Sequence, residues 1–156
     1  MTLDERILAE RRALLAEKLT IVGRLSGHLG FSLGRLPYPL PGLENLDPVS
    51  LESVSALVER FGKLQDLLGG VFREIAVFSG DDASDMNRVF ARMEKIDILT
   101  SADQWRAMRV LRNLGAHEYD PSDAGRARFI NALAADAPEL MAIANRAVEY
   151  VRRNLL

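Results

Sequence analysis

The stretch that decides the fold runs from Asp47 to Phe78 and reads DPVSLESVSALVERFGKLQDLLGGVFREIAVF. Its apolar residues recur every three or four positions, which is the spacing that lines one face of an α-helix. Asp47 followed by Pro48 is typical of a helix start, because the carboxylate can cap the first turn and Pro suits the first helical position. The pattern therefore predicts one long helix that ends near Phe78.

Three glycines lie inside this predicted helix, at Gly62, Gly69 and Gly70. Each costs up to about 1 kcal/mol of helix propensity relative to alanine. Close approach by another helix would compensate for that cost. A kink at Gly69-Gly70 is an equally good explanation.

The same helical spacing extends on both sides of this stretch. It predicts a first helix over residues 3–29, a third around 83–98, a fourth from about 100 that weakens near Gly115, and a fifth from about 120 to 156. Asp136-Ala137-Pro138 is expected to kink or split the fifth helix. No alternating stretch is long enough for a convincing strand. The sequence thus predicts a single all-α domain over residues 1–156, an antiparallel bundle of five to six helices.

A proline-rich connector is predicted at about residues 30–48. Pro37, Pro39 and Pro41 cannot continue a helix. The stretch is too apolar for a flexible linker, so we expect an ordered segment that lays its apolar side chains on the domain. Those side chains are Leu36, Tyr38, Leu40 and Leu43.

Composition narrows the classes of protein. The net charge of −2 argues against a protein that coats itself broadly with nucleic acid, although a local basic groove stays open. Seventeen of the 20 cations are Arg, which is compatible with RNA contact but is better explained by a GC-rich genome. There is no Cys, no signal peptide is recognised, and no apolar run approaches the length of a membrane span. A cytoplasmic protein without a membrane partner is expected.

The run that carries chemistry is Leu111 to Asp120, LRNLGAHEYD. It places Arg112, Asn113, His117 and Tyr119 within eight residues. The run resembles the R-N-x-x-x-H-x-Y signature of HEPN domains, particularly the HEPN partners of minimal nucleotidyltransferases in bacterial toxin–antitoxin pairs. Further similarity to these proteins lies at residues 57–68, at 93–96 with Trp105 and Arg109, and at 136–140, so about two-thirds of the chain takes part.

The resemblance implies a HEPN-like bundle that forms a homodimer with the motif segments facing one another. It implies a metal-independent endoribonuclease that needs no cofactor, with Arg112 and His117 as the catalytic pair and Asn113 in a supporting role. Tyr119 matches the tyrosine that a cognate nucleotidyltransferase antitoxin adenylylates in some pairs. A different class of function is a non-catalytic HEPN module that docks with, or is modified by, that partner.

The residue types suit RNA cleavage. The 2′-hydroxyl of RNA can attack its own phosphodiester, His transfers protons near neutral pH, and Arg holds the charge that builds on the phosphoryl oxygens. On a straight helix Arg112 and His117 stand roughly 140° apart. A bend at Gly115, or a second copy across a dimer axis, would bring such groups together. Arg112 and His117 could instead cap carbonyls or pair with carboxylates such as Glu118 or Asp120.

Other candidates carry weaker signals. Arg106 and Arg109 precede Arg112 at three-residue spacing, which predicts either a phosphate track for RNA or a solvated cationic face. Asp81, Asp82 and Asp85 are explained by helix capping at least as well as by a metal, and we predict no metal site. Trp105 is expected in the core rather than in a binding platform.

Overall fold

The computed structural model describes residues 1–117 and 122–156, except for the side chains of residues 116 and 117. Within these residues the chain forms five α-helices and no strand, which confirms the all-α prediction. The helices are α1 (Leu3–Leu33), α2 (Pro48–Phe78), α3 (Met86–Lys95), α4 (Ala102–His117) and α5 (Asp123–Asn154). None of the helices in this part of the chain combines the length and apolar character that crossing a membrane would require.

Side-chain caps begin the long helices. Asp47 accepts a hydrogen bond from the Ser50 N–H at 2.7 Å, directly before Pro48, as its sequence signature predicts. Thr2 and Glu5 form a reciprocal capping box at the start of α1. These caps satisfy N–H groups that have no partner within the helix, so the start of each helix is set by local sequence.

Helices α1, α2 and α5 make the most extensive contacts with one another. Arg11, early in α1, donates two hydrogen bonds to the carboxylate of Glu74, late in α2. Arg12 donates to the carbonyl of Leu155, which follows α5. The start of α1 therefore meets the ends of both partners, so α1 lies antiparallel to α2 and α5. Helices α3 and α4 pack on this three-helix frame.

Helix α1 continues past its predicted end near Leu29. Ser32 is buried, and Arg60 of α2 donates to its hydroxyl at 2.6 Å and to the carbonyl of His28 at 3.1 Å. These contacts hold the last turn against α2. The glycines at the end of α1 therefore do not break the helix until Gly34, which caps it.

Helix α5 is one helix across Pro138, so Asp136-Ala137-Pro138 does not split it. Proline removes one backbone hydrogen bond and crowds the preceding turn. On either side of it, however, Ala137 and Leu140 are fully buried. Burial of one continuous apolar face offsets the missing bond, because most helix stability in proteins comes from packing.

The proline-rich connector begins at Gly34 rather than at residue 30 and lies against α5. Its Leu40 N–H donates to the Asn131 side chain at 2.7 Å, and that amide donates back to the Leu40 carbonyl at 2.8 Å. The Leu43 N–H donates to Asp123 at 2.9 Å. Leu40 and Leu43 are buried, and the Tyr38-Pro39 peptide is cis. The connector is therefore an ordered segment, as its apolar composition predicts.

Candidate functional site

Arg112 lies at the contact between α4 and α2. Its Nη1 and Nη2 donate to the two carboxylate oxygens of Asp66 at 2.7 and 2.8 Å. The Arg112 side chain is 34% exposed and that of Asp66 is 55% exposed, so the pair lies at the surface of the bundle. Sequence reasoning considered only nearby carboxylates as partners for Arg112 and missed Asp66, which is 46 residues away.

Two glycines of α2 lie beside arginines of α4, and one of them makes room for its arginine. A Cβ built at Gly62 would lie 3.0 Å from Nε of Arg112, and one at Gly69 would lie 3.8 Å from Nη1 of Arg109. Helix α2 continues through both positions. Close approach of the Arg112 side chain therefore accounts for Gly62, whereas a Cβ at Gly69 would make only an ordinary contact.

The two preceding arginines of α4 differ in their surroundings. Arg106 donates to Asp103 and to the side-chain oxygen of Asn87, both at 3.0 Å, and stacks over the ring of Phe90 with its Cζ 5.5 Å from the ring centroid. Half-buried Arg109 makes no hydrogen bond or ion pair with any residue in the described part of the chain. Of these two arginines, Arg109 is therefore the one available to an outside anion.

Apolar side chains face solvent beside the motif. Val110 is 60% exposed and Leu114 is 39% exposed, four residues apart on α4. Asn113, predicted to support the site, is exposed next to them and makes no side-chain hydrogen bond with described residues. This outward side of α4 is the opposite of the side that carries Arg112 and the fully buried Trp105.

A cleft of about 450 Å³ lies between the end of α4 and the first turns of α5. Its apolar lining includes Leu111, Leu114 and Phe129, and Arg126 and Arg128 also line it. The ring of Phe129 lies so close to Gly115 that a Cβ there would overlap it. Sequence reasoning missed this cleft because its walls come from separate segments of the chain.

The second half of the predicted catalytic pair is only partly described. Helix α4 continues through Gly115 to His117. The side chain of His117 and all of Tyr119 lie outside the described residues. On a straight helix, five residues turn the backbone by about 500°, which sets two positions about 140° apart around the axis.

The acidic residues before α3 have structural roles. Asp81 accepts two hydrogen bonds from Arg92 at 2.6 and 2.9 Å, and these bonds lower the pKa of the Asp81 carboxyl. Asp82 accepts from Ser84, and its pKa is lowered by those bonds. Asp85 caps α3. Among the described residues, no group of three or more His, Cys, Asp or Glu side chains could hold a metal ion.

No protein-family model, curated protein or solved structure matches this chain. The resemblance to HEPN domains therefore rests on the residues of the chain itself. The geometry adds an oriented guanidinium, an unpaired neighbouring arginine and an exposed apolar surface around the motif.

Proposed function

We propose that this chain is a HEPN-type, metal-independent endoribonuclease that acts in the cytoplasm as the toxin of a toxin–antitoxin pair. The observation that supports this function best is the placement of Arg112. It is fixed on a rigid helix, it remains one-third exposed, and it belongs to the R-N-x-x-x-H-x-Y run. A positioned arginine near the surface is suited to bind an RNA phosphate with paired hydrogen bonds.

In the proposed reaction the RNA 2′-hydroxyl attacks the adjacent phosphorus. The bond from phosphorus to the 5′-oxygen breaks, which leaves a 2′,3′-cyclic phosphate and a 5′-hydroxyl. His117 takes the proton from the 2′-hydroxyl and delivers it to the departing 5′-oxygen, since imidazole is the side chain suited to acid–base catalysis near neutral pH. Arg112 stabilises the charge on the phosphoryl oxygens, and Arg109 binds a neighbouring phosphate.

A homodimer is part of the proposal. Arg112 is directed toward α2, and on a straight helix five residues separate two positions by about 140° around the axis. That separation supports a composite site in which His117 of a second copy lies beside Arg112. Exposed Val110 and Leu114 offer apolar surface beside the motif for that contact.

The decisive assay is cleavage of an unstructured RNA in the presence of a chelator. His117→Ala should lower the rate by about 10²- to 10⁴-fold, the usual contribution of a general acid or base. His28→Ala is the matched control, because His28 is the other histidine of the chain and is exposed on α1. DNA of the same sequence should stay intact. An inert parent protein would rule out the nuclease.

Mixing two inactive variants tests the composite site. If each site takes Arg112 from one subunit and His117 from the other, mixed dimers of Arg112→Ala and His117→Ala contain one intact site of two. Co-refolding equal amounts should then restore about a quarter of the parent activity, since about half of the dimers are mixed. No recovery, with dimers present by light scattering, would place both groups in one subunit.

A non-catalytic module is the second candidate, and the Asp66–Arg112 pair favours it because such a pair can be purely structural. In this function the chain docks with a cognate nucleotidyltransferase that adenylylates Tyr119. Co-expression with that enzyme should add the mass of one AMP to the parent and none to Tyr119→Phe. Modification of a protein that never cleaves RNA would select this candidate.

A further inference from the structure

Asp66 holds one of the two hydrogen-bonding edges of the Arg112 guanidinium, and the other edge faces α2. A guanidinium presents two edges that can grip a carboxylate or phosphate with paired bonds. The edge formed by Nη1 and Nη2 holds Asp66 at 2.7 and 2.8 Å. The edge formed by Nε and Nη2 lies against α2, where a Cβ at Gly62 would be 3.0 Å from Nε and 3.4 Å from Nη2. An RNA phosphate on that second edge would have to fit between Arg112 and the backbone of α2, so the edge that Asp66 holds is the more accessible of the two.

The two edges differ in how readily they can be freed. The Gly62 side is backbone inside a continuous helix, so it does not move independently of the bundle. Asp66 is 55% exposed, and rotation of its side chain would place the carboxylate in water. Exposed ion pairs contribute little net stability, so an outside anion can displace such a carboxylate.

We infer that Asp66 occupies the phosphate subsite of Arg112 and competes with RNA for it. The inference rests on the proposed function and adds a residue that sets RNA affinity. Carboxylate and phosphodiester oxygens use the same donors of the guanidinium, so RNA binds by exchange with Asp66. The displaced carboxylate also remains close to the RNA backbone, where like charge opposes binding.

A role for Asp66 in positioning Arg112 and a role as a competitor of RNA predict opposite changes in RNA affinity when Asp66 is neutralised. If Asp66 only orients Arg112, its neutralisation should loosen the guanidinium and weaken RNA binding. If Asp66 competes, its neutralisation should tighten binding, and the gain should need Arg112. The sign of the effect therefore separates the two roles.

The test measures binding of a fluorescein-labelled 2′-O-methyl RNA 12-mer by anisotropy. This probe lacks the nucleophilic hydroxyl, so its binding is independent of cleavage. Asp66→Asn keeps the shape of the side chain, and we expect it to tighten binding about five- to tenfold. Asp103→Asn is the matched control, because Asp103 pairs with Arg106 on the same helix. It removes the same charge and should change binding less than Asp66→Asn.

Arg112→Ala and the double variant Asp66→Asn/Arg112→Ala complete the cycle. In the Arg112→Ala background, Asp66→Asn should tighten RNA binding no more than Asp103→Asn does. The inference is overturned if Asp66→Asn weakens binding, if its gain equals that of Asp103→Asn, or if the gain survives without Arg112. Cleavage of unmodified RNA by the parent, measured in parallel, reports separately on the proposed function.

Discussion

The two halves of α4 differ in how deeply their side chains are buried. In the first half, Trp105 is fully buried with its ring centroid 4.9 Å from that of Phe72, and Met108 is buried one turn later. In the second half, Arg112 is tied to Asp66 at the bundle surface while Val110 and Leu114 face solvent. The first half anchors the helix in the core. The second half leaves polar and apolar groups at the surface.

Replacing the anchor should have the largest effect. We expect Trp105→Ala to lower the free energy of unfolding by about 3–5 kcal/mol, because a fully buried aromatic side chain leaves a cavity. Val110→Ala, in the exposed half, should change it by less than about 0.5 kcal/mol. Urea denaturation monitored by circular dichroism measures both. Equal losses from the two variants would contradict the division of α4.

Adding a methyl group at the end of the second half should have an intermediate effect. A Cβ at Gly115 would overlap the ring of Phe129, so Gly115→Ala should cost about 1–3 kcal/mol through overpacking. Gly23 in α1 has no atom near its would-be Cβ. Gly23→Ala should therefore stabilise the protein by about 0.4–1 kcal/mol. Stabilisation by both substitutions would show that the ring of Phe129 yields freely.

The smallest expected effect concerns RNA binding by Arg106 and Arg109, the two arginines that precede Arg112 on α4. Arg109→Ala should weaken binding of the 2′-O-methyl RNA and reduce the slope of log K against log salt by about 0.7, the share of one phosphate on a single strand. Arg106→Ala should leave the slope unchanged, because Arg106 is already paired with Asp103 and Asn87. Equal changes would restore the hypothesis of one phosphate track.

Much of the fold could be predicted because its signals are local. The Asp47-Pro48 start of α2 was recognisable from residues next to one another, and so was the ordered character of the connector. The end of α1 was not predicted correctly, and the sequence left open whether Pro138 kinks or splits α5. Both depend on contacts with other helices, such as Arg60 with Ser32 and the burial of Ala137 and Leu140.

The candidate site divides in the same way. The sequence by itself determined which chemical groups lie on α4 and in what order, because the periodicity of a helix is recognised from the local sequence alone. Only the tertiary structure decided which of these groups contact other helices. Asp66 reaches Arg112 and Phe129 reaches Gly115 because α2 and α5 pack beside α4, and contacts between distant segments leave no periodic signal in the chain.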